Sequence, residues 1–103
     1  MKPNILFLTC TDSEEAEKIS VTLLKKRLVV CIKKIPISSS YLYKGKIESA
    51  DEVLLIMDSI EENFSQVEQE IKKLHSYETF VLLSVPVGKT TNAVLKWIKE
   101  EIL

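Results

Sequence analysis

Between Val29 and Asp58 the chain carries two strand-like runs around one tight turn, and this stretch constrains the fold more than any other. The first run ends Ile-Pro-Ile-Ser-Ser-Ser-Tyr-Leu-Tyr and is rich in β-branched and aromatic residues, which fit a pleated surface. Lys44-Gly45 follows. Gly45 is one of only two glycines in the chain, and glycine accepts the positive φ that a two-residue hairpin turn needs. With the turn there, Leu42 faces Ile47 and Tyr41 faces Glu48. Pro36 has no N–H to give to a ladder, so the register is expected to break there, at a bulge or an edge. A dozen residues per strand at roughly 3.3 Å each extend about 40 Å. A compact domain of this length is only about 30 Å across. The tip, with Tyr41, Leu42, Tyr43 and Ile47, is therefore expected to project beyond the core and to pair with another subunit. A long apolar hairpin left in water invites aggregation.

The rest of the chain supplies one small core. Residues 1–103 are enough for a single domain, and 46% of them are hydrophobic, which favours a folded chain over a disordered one. Net charge is −1 and Arg27 is the only arginine. No basic face suited to nucleic acid is evident, since the lysines are interleaved with acids. Ile5 to Leu8 is too short to span a membrane or to serve as a secretory core. The two cysteines, Cys10 and Cys31, form no Cys-x-x-Cys pair, and each lies in an apolar run. This predicts a reduced, cytoplasmic protein.

In chain order, Asn4 to Cys10 reads as a buried strand. Asp12 and Glu15 read as a capping box, followed by a helix burying Ala16, Ile19, Leu23 and Leu24 and closed by Lys25-Lys26-Arg27. After the hairpin, Ser59 and Glu62 read as a second capping box. The next helix carries Phe64, Val67, Ile71 and Leu74 on one side and ends near His75. Phe80 to Val87 is strand-like. Thr90 or Thr91 caps a last helix with Val94, Leu95, Ile98 and Ile102 inward and Trp97 beside them. The order βαββαβ plus a C-terminal helix predicts a mixed α/β (α+β) protomer, the split βαβ or ferredoxin-like pattern with a long β2–β3 hairpin. Two helices cover one sheet face. Only the last helix remains for the other, which is a second argument for an oligomer.

Several segments, in order and spacing, resemble the CutA family of small trimeric divalent-cation tolerance proteins. They are Thr9-Cys10 before an acidic helix start; Lys26-Arg27-Leu28-Val29-Val30-Cys31; Ser40 to Glu48 around the turn; Glu52 and the strand after it; His75-Ser76-Tyr77-Glu78; and Leu95-Lys96-Trp97-Ile98. The resemblance covers nearly the whole chain. It implies a ferredoxin-like protomer, a homotrimer and a link to copper and other divalent metals. The chain departs from the family pattern at Tyr43, where the family has tryptophan, and at Ser76, where it has proline. Phe80-Val81 stands for Pro-Glu, Asp58-Ser59 for Lys-Thr and Val94 for tyrosine.

The candidate chemistry is sparse. His75 is the only histidine, and imidazole is a common ligand for copper and zinc. With Cys10 and Glu78 it forms the candidate metal set, while a histidine at a helix end also serves as a plain cap. Cys31 is expected in the core. Cys10, beside a helix N-terminus that lowers thiol pKa values, is expected to be the reactive thiol. Cys10, Cys31 and His75 show no ligand-spacing motif, so any copper or other divalent ion is expected to bind weakly or between subunits, and none is obligatory. His75, Tyr77 and Glu78 are expected to line a cleft between subunits. Tyr41, Tyr77 and Trp97 are expected at a subunit cleft, where a small ligand or protein partner could also sit.

An enzyme is not expected. Acylphosphatases share the element order but need an arginine in a phosphate-cradling loop, and one histidine without a nucleophile elbow gives no triad. The rival reading is a trimeric regulatory protein of the PII-like fold that binds a small ligand or anchors a partner. Gly45, Gly88 and Lys89 are its only phosphate-site features.

Overall fold

The computed structural model describes residues 1–102. The order is β1 (Pro3–Cys10), α1 (Ser13–Lys25), β2 (Cys31–Tyr43), β3 (Lys46–Ile60), α2 (Phe64–Leu74), β4 (Leu82–Pro86) and α3 (Asn92–Glu101), with a short 3-10 turn at Glu61–Asn63 before α2. The strands form one antiparallel sheet in the order β2-β3-β1-β4. This is the ferredoxin-like arrangement, with β2 and β4 at the edges.

The hairpin registers as its turn dictates. Tyr41 lies opposite Glu48 and Leu42 opposite Ile47. Lys44 and Gly45 both take positive φ, 51° and 78°, which is how a two-residue turn matches the strand twist. Pro36 does not break the register. It pairs with Val53 in an uninterrupted ladder, because β2 is an edge strand. The molecule measures 45 × 26 × 22 Å, and the tip residues Leu42 and Ile47 are 76% and 80% exposed.

One sheet face carries Leu6, Leu8, Cys10, Leu55 and Met57. These pack with Ala16, Ile19 and Leu23 of α1 and Val67 and Ile71 of α2. Each fully buried aliphatic side chain contributes roughly 1.5–3 kcal/mol. A second cluster joins Ile60, Ile98 and Ile102 to Val30 and Val94, anchoring α3 at the end of β3 farthest from the hairpin tip. The pairing places Ile5, Phe7, Ile35, Leu54, Ile56, Leu83 and Val85 on the opposite face, where Ile35, Leu83 and Val85 are exposed.

Local chemistry sets the helix ends. Asp12 caps α1 by accepting from the Glu15 N–H at 2.8 Å, and Thr91 caps α3 by accepting from Val94. At the far end of α1, Leu28 N–H bonds Leu23 O and Arg27 N–H bonds Leu24 O, with Arg27 at φ 56°. This is a Schellman stop with an arginine where glycine is usual.

Four expectations need correction. Ser59 is not a helix cap: it is still in β3, and its hydroxyl donates to Leu28 O at 2.6 Å. Glu62 instead accepts from Lys2 N–H. Leu24 and Leu74, read as inward, are 42% and 38% exposed. The last strand is shorter than Phe80–Val87, because residues 75–81 are drawn into the contacts described next.

Candidate functional site

At the sheet end nearer the hairpin tip, the C-terminus of β1 meets the N-terminus of α1 and the segment after α2. Cys10, Glu15 and His75 each present one ligand-type atom there, all within 4.8 Å of one another. Glu15, read from sequence only as half of a capping box, is the centre of the group. Its carboxylate accepts from Thr11 N–H (3.3 Å), Thr11 hydroxyl (2.9 Å) and Ser76 N–H (3.1 Å), and lies 3.1 Å from His75 Nε2. Burial alone would raise the Glu15 carboxyl. The bonds from Ser76 and Thr11 outweigh it and hold the group below its ordinary value. Ser76 stands where the resembled family has proline, which has no N–H to give. No local signal could reveal the Glu15–Ser76 contact, since the partners are 61 residues apart.

His75 is clamped. Its side chain is fully buried, stacks on Phe80 at 5.3 Å and meets Tyr77 at 5.4 Å. Its Nδ1 accepts from Tyr77 N–H at 3.0 Å, which assigns the ring proton to Nε2, where it is donated to Thr9 O at 2.8 Å. Neither nitrogen keeps a free lone pair. Cys10 is also closed off. It is fully buried, and burial followed by the charges of Glu15, Asp12 and Glu52 pushes its thiol up to about 12. The helix N-terminus beside it is outweighed. The expected environments of the two cysteines are thus reversed: Cys31 is only half-buried, opposite Asp58 on the open face, with Lys33 Nζ 3.7 Å from its sulfur.

As folded, this donor set does not fit a resident metal ion. Metal ligation needs a thiolate and a free imidazole lone pair, and the cluster holds a protonated thiol and a ring bonded at both nitrogens. The cluster instead pins residues 75–81 to the start of α1.

The other residues singled out from sequence fall in three places. Glu78 is exposed on the pinned segment, outside the cluster. Tyr77 extends from that segment to Glu52, with its hydroxyl 3.5 Å from the carboxylate. Tyr41 is close enough to act electrostatically on Tyr77, whose phenol is raised by burial, then by Glu52 and Tyr41. Trp97 lies apart from them within the protomer. It is 41% exposed on α3, which packs against Ile60, eight residues along β3 from Glu52 and about 26 Å away at roughly 3.3 Å per residue. Tyr43, Leu42 and Ile47 form the exposed tip.

Fold and site together define a small split βαβ protein with a buried thiol–carboxylate–imidazole cluster at one sheet end and an apolar face left open. A sequence profile of the CutA1 divalent ion tolerance proteins matches residues 4–101, and the chain belongs to that family. The divalent-cation tolerance protein CutA of Archaeoglobus fulgidus is 36% identical over 99 residues, covering 96% of this chain and 97% of its own length. That of Pyrococcus horikoshii is 35% identical, covering 94% and 95%. A solved structure of the A. fulgidus protein, described as periplasmic, superposes with a TM-score of 0.94 over 96% of this chain and 97% of that one. Among the described residues no helix is long and apolar enough to cross a membrane.

Proposed function

We propose that residues 1–103 act as one unit, which assembles as a homotrimer and serves divalent-cation tolerance without being an enzyme. Copper or another divalent ion is held weakly, at clefts between subunits and not in a cage inside one protomer. The observation that carries this reading is the unfinished protomer: an apolar open face and a hairpin tip with Leu42 and Ile47 in solvent. Two further copies of the same surface would cover both, and closed symmetry would repeat every cleft three times. The locked donors of Cys10 and His75 support the weak binding. Two unpaired cysteines support a cytoplasmic location.

The test is calorimetric titration of copper into the wild type, Cys10→Ala and the assembly-breaking variant Leu42→Asp. Binding is expected to be micromolar or weaker, unchanged by Cys10→Ala and at least tenfold weaker in Leu42→Asp. Tight, stoichiometric copper in the dissociated variant would overturn the reading.

A further inference from the structure

Glu52 is a buried carboxylate with no cation beside it among the described residues. It is 7% exposed, and its one hydrogen bond among the described residues is the long one from Tyr77. Among the described residues no ion pair includes it. A carboxylate offers about four acceptor positions; the long Tyr77 bond takes one, which leaves the others to solvent or to a cation. Glu15 and Asp12, which act together with Glu52 on the Cys10 thiol, add negative charge on that side. Beside the carboxylate stands the Tyr77 ring, 39% exposed, and Tyr41, 40% exposed, is near enough to Tyr77 to act on it electrostatically. Tyr41 and Glu52 share the open sheet face by register.

We propose that Glu52, Tyr77 and Tyr41 form a recognition site for an alkylammonium cation. The carboxylate would take the ammonium hydrogens, and the ring faces would take the charge by cation–π attraction. A divalent metal is a poorer match, because one carboxylate and two phenols supply too few hard ligands. The ammonium has two sources. One is a free amine. The other is a lysine of a second copy, and the hairpin tip offers two: Lys44 and Lys46 are exposed, flank the apolar tip residues and form no ion pair among the described residues. Lys44 already lies over an aromatic ring, that of Tyr43, at 5.3 Å. The site goes beyond the metal reading and uses neither Cys10 nor His75, so the copper titration and the test below can fail separately.

The test uses n-butylammonium chloride as the probe, amide chemical shifts at residues 52 and 77 as the binding readout, and light scattering across a dilution series as the assembly readout. Saturable uptake by the wild type that falls at least tenfold in Glu52→Gln, with assembly unchanged, supports a free amine. No uptake by the wild type, with the assembly midpoint moved at least tenfold to higher concentration by both Glu52→Gln and Lys44→Met/Lys46→Met, supports a second copy's lysine. If Glu52→Gln binds the probe and assembles as the wild type does, the proposal is overturned. It is equally overturned if Glu52→Gln alters assembly and the lysine variant does not. Tyr77→Leu, on the irregular segment, carries the same comparison should Glu52→Gln fail to fold.

Discussion

Replacing Glu15 by glutamine keeps the shape of the side chain and removes its charge, which isolates what the carboxylate does at the sheet end. One carboxylate oxygen faces Thr11 N–H and His75 Nε2; the other faces the Thr11 hydroxyl and Ser76 N–H. Glutamine must put an NH₂ in one of those places. Either way a backbone N–H is left facing a donor, while the Thr11 hydroxyl can turn to adapt. An orphaned buried donor costs about 1–3 kcal/mol, and the surviving bonds lose their charge assistance. The expected loss is about 2–4 kcal/mol at pH 7, or about 1–2 M in the urea midpoint for a chain of this size.

The loss should depend on pH. The folded-state pKa of Glu15 lies below its ordinary value of 4.5. Its contribution is therefore fully present above that ordinary value and is lost as pH falls through the lowered one. Urea melts of wild type and Glu15→Gln, at equal protein concentration, should differ most near neutrality and converge in acid. Equal midpoints at pH 7, or a gap that does not shrink in acid, would refute the pinning role.

Three shorter expectations accompany it. Thiol labelling of the dissociated Leu42→Asp variant should be faster at Cys31 than at Cys10, and Cys10→Ser should destabilise the protein by roughly 1–3 kcal/mol through a buried hydroxyl; equal labelling rates would contradict the burial pattern. Leu42→Asp should dissociate the assembly at micromolar concentration while leaving the far-UV circular dichroism of the protomer in place; an unchanged mass would show that the tip touches no partner. In the dissociated Leu42→Asp background, Lys44→Asn should raise protomer stability by roughly 0.5–1 kcal/mol, since asparagine tolerates the positive φ better than lysine does; an unchanged or lower melting midpoint there counts against this.

What the chain reveals by itself is what is local. The hairpin register follows from Lys44-Gly45 alone, because a two-residue turn fixes every pair behind it. The caps at Asp12 and Thr91 sit where a short polar side chain precedes a periodic apolar run. Ser59 misleads because the same pattern also fits the end of a strand, and the nearby Leu28 carbonyl takes its hydroxyl.

The cysteines mislead for a topological reason. β1 is apolar on both faces, so its sequence does not say which face the helices cover. Cys10 alternates with Leu6 and Leu8 on the covered face, while Cys31 pairs opposite Asp58 on the open one. Hydrophobic neighbours in sequence made Cys31 look buried, and closeness to a helix start made Cys10 look reactive. Glu15, His75 and Ser76 meet only because βαββαβ winding returns the segment after α2 to the end of β1. That meeting turns a candidate metal set into a pin, and it depends on contacts more than sixty residues apart.

The most direct measurement of the central claim is the mass of the purified protein by light scattering at micromolar concentration. Three chains of 11.8 kDa should give about 35 kDa, the result expected if further copies of the same surface cover the open sheet face and the projecting tip. A mass near 12 kDa, the single chain, would contradict it.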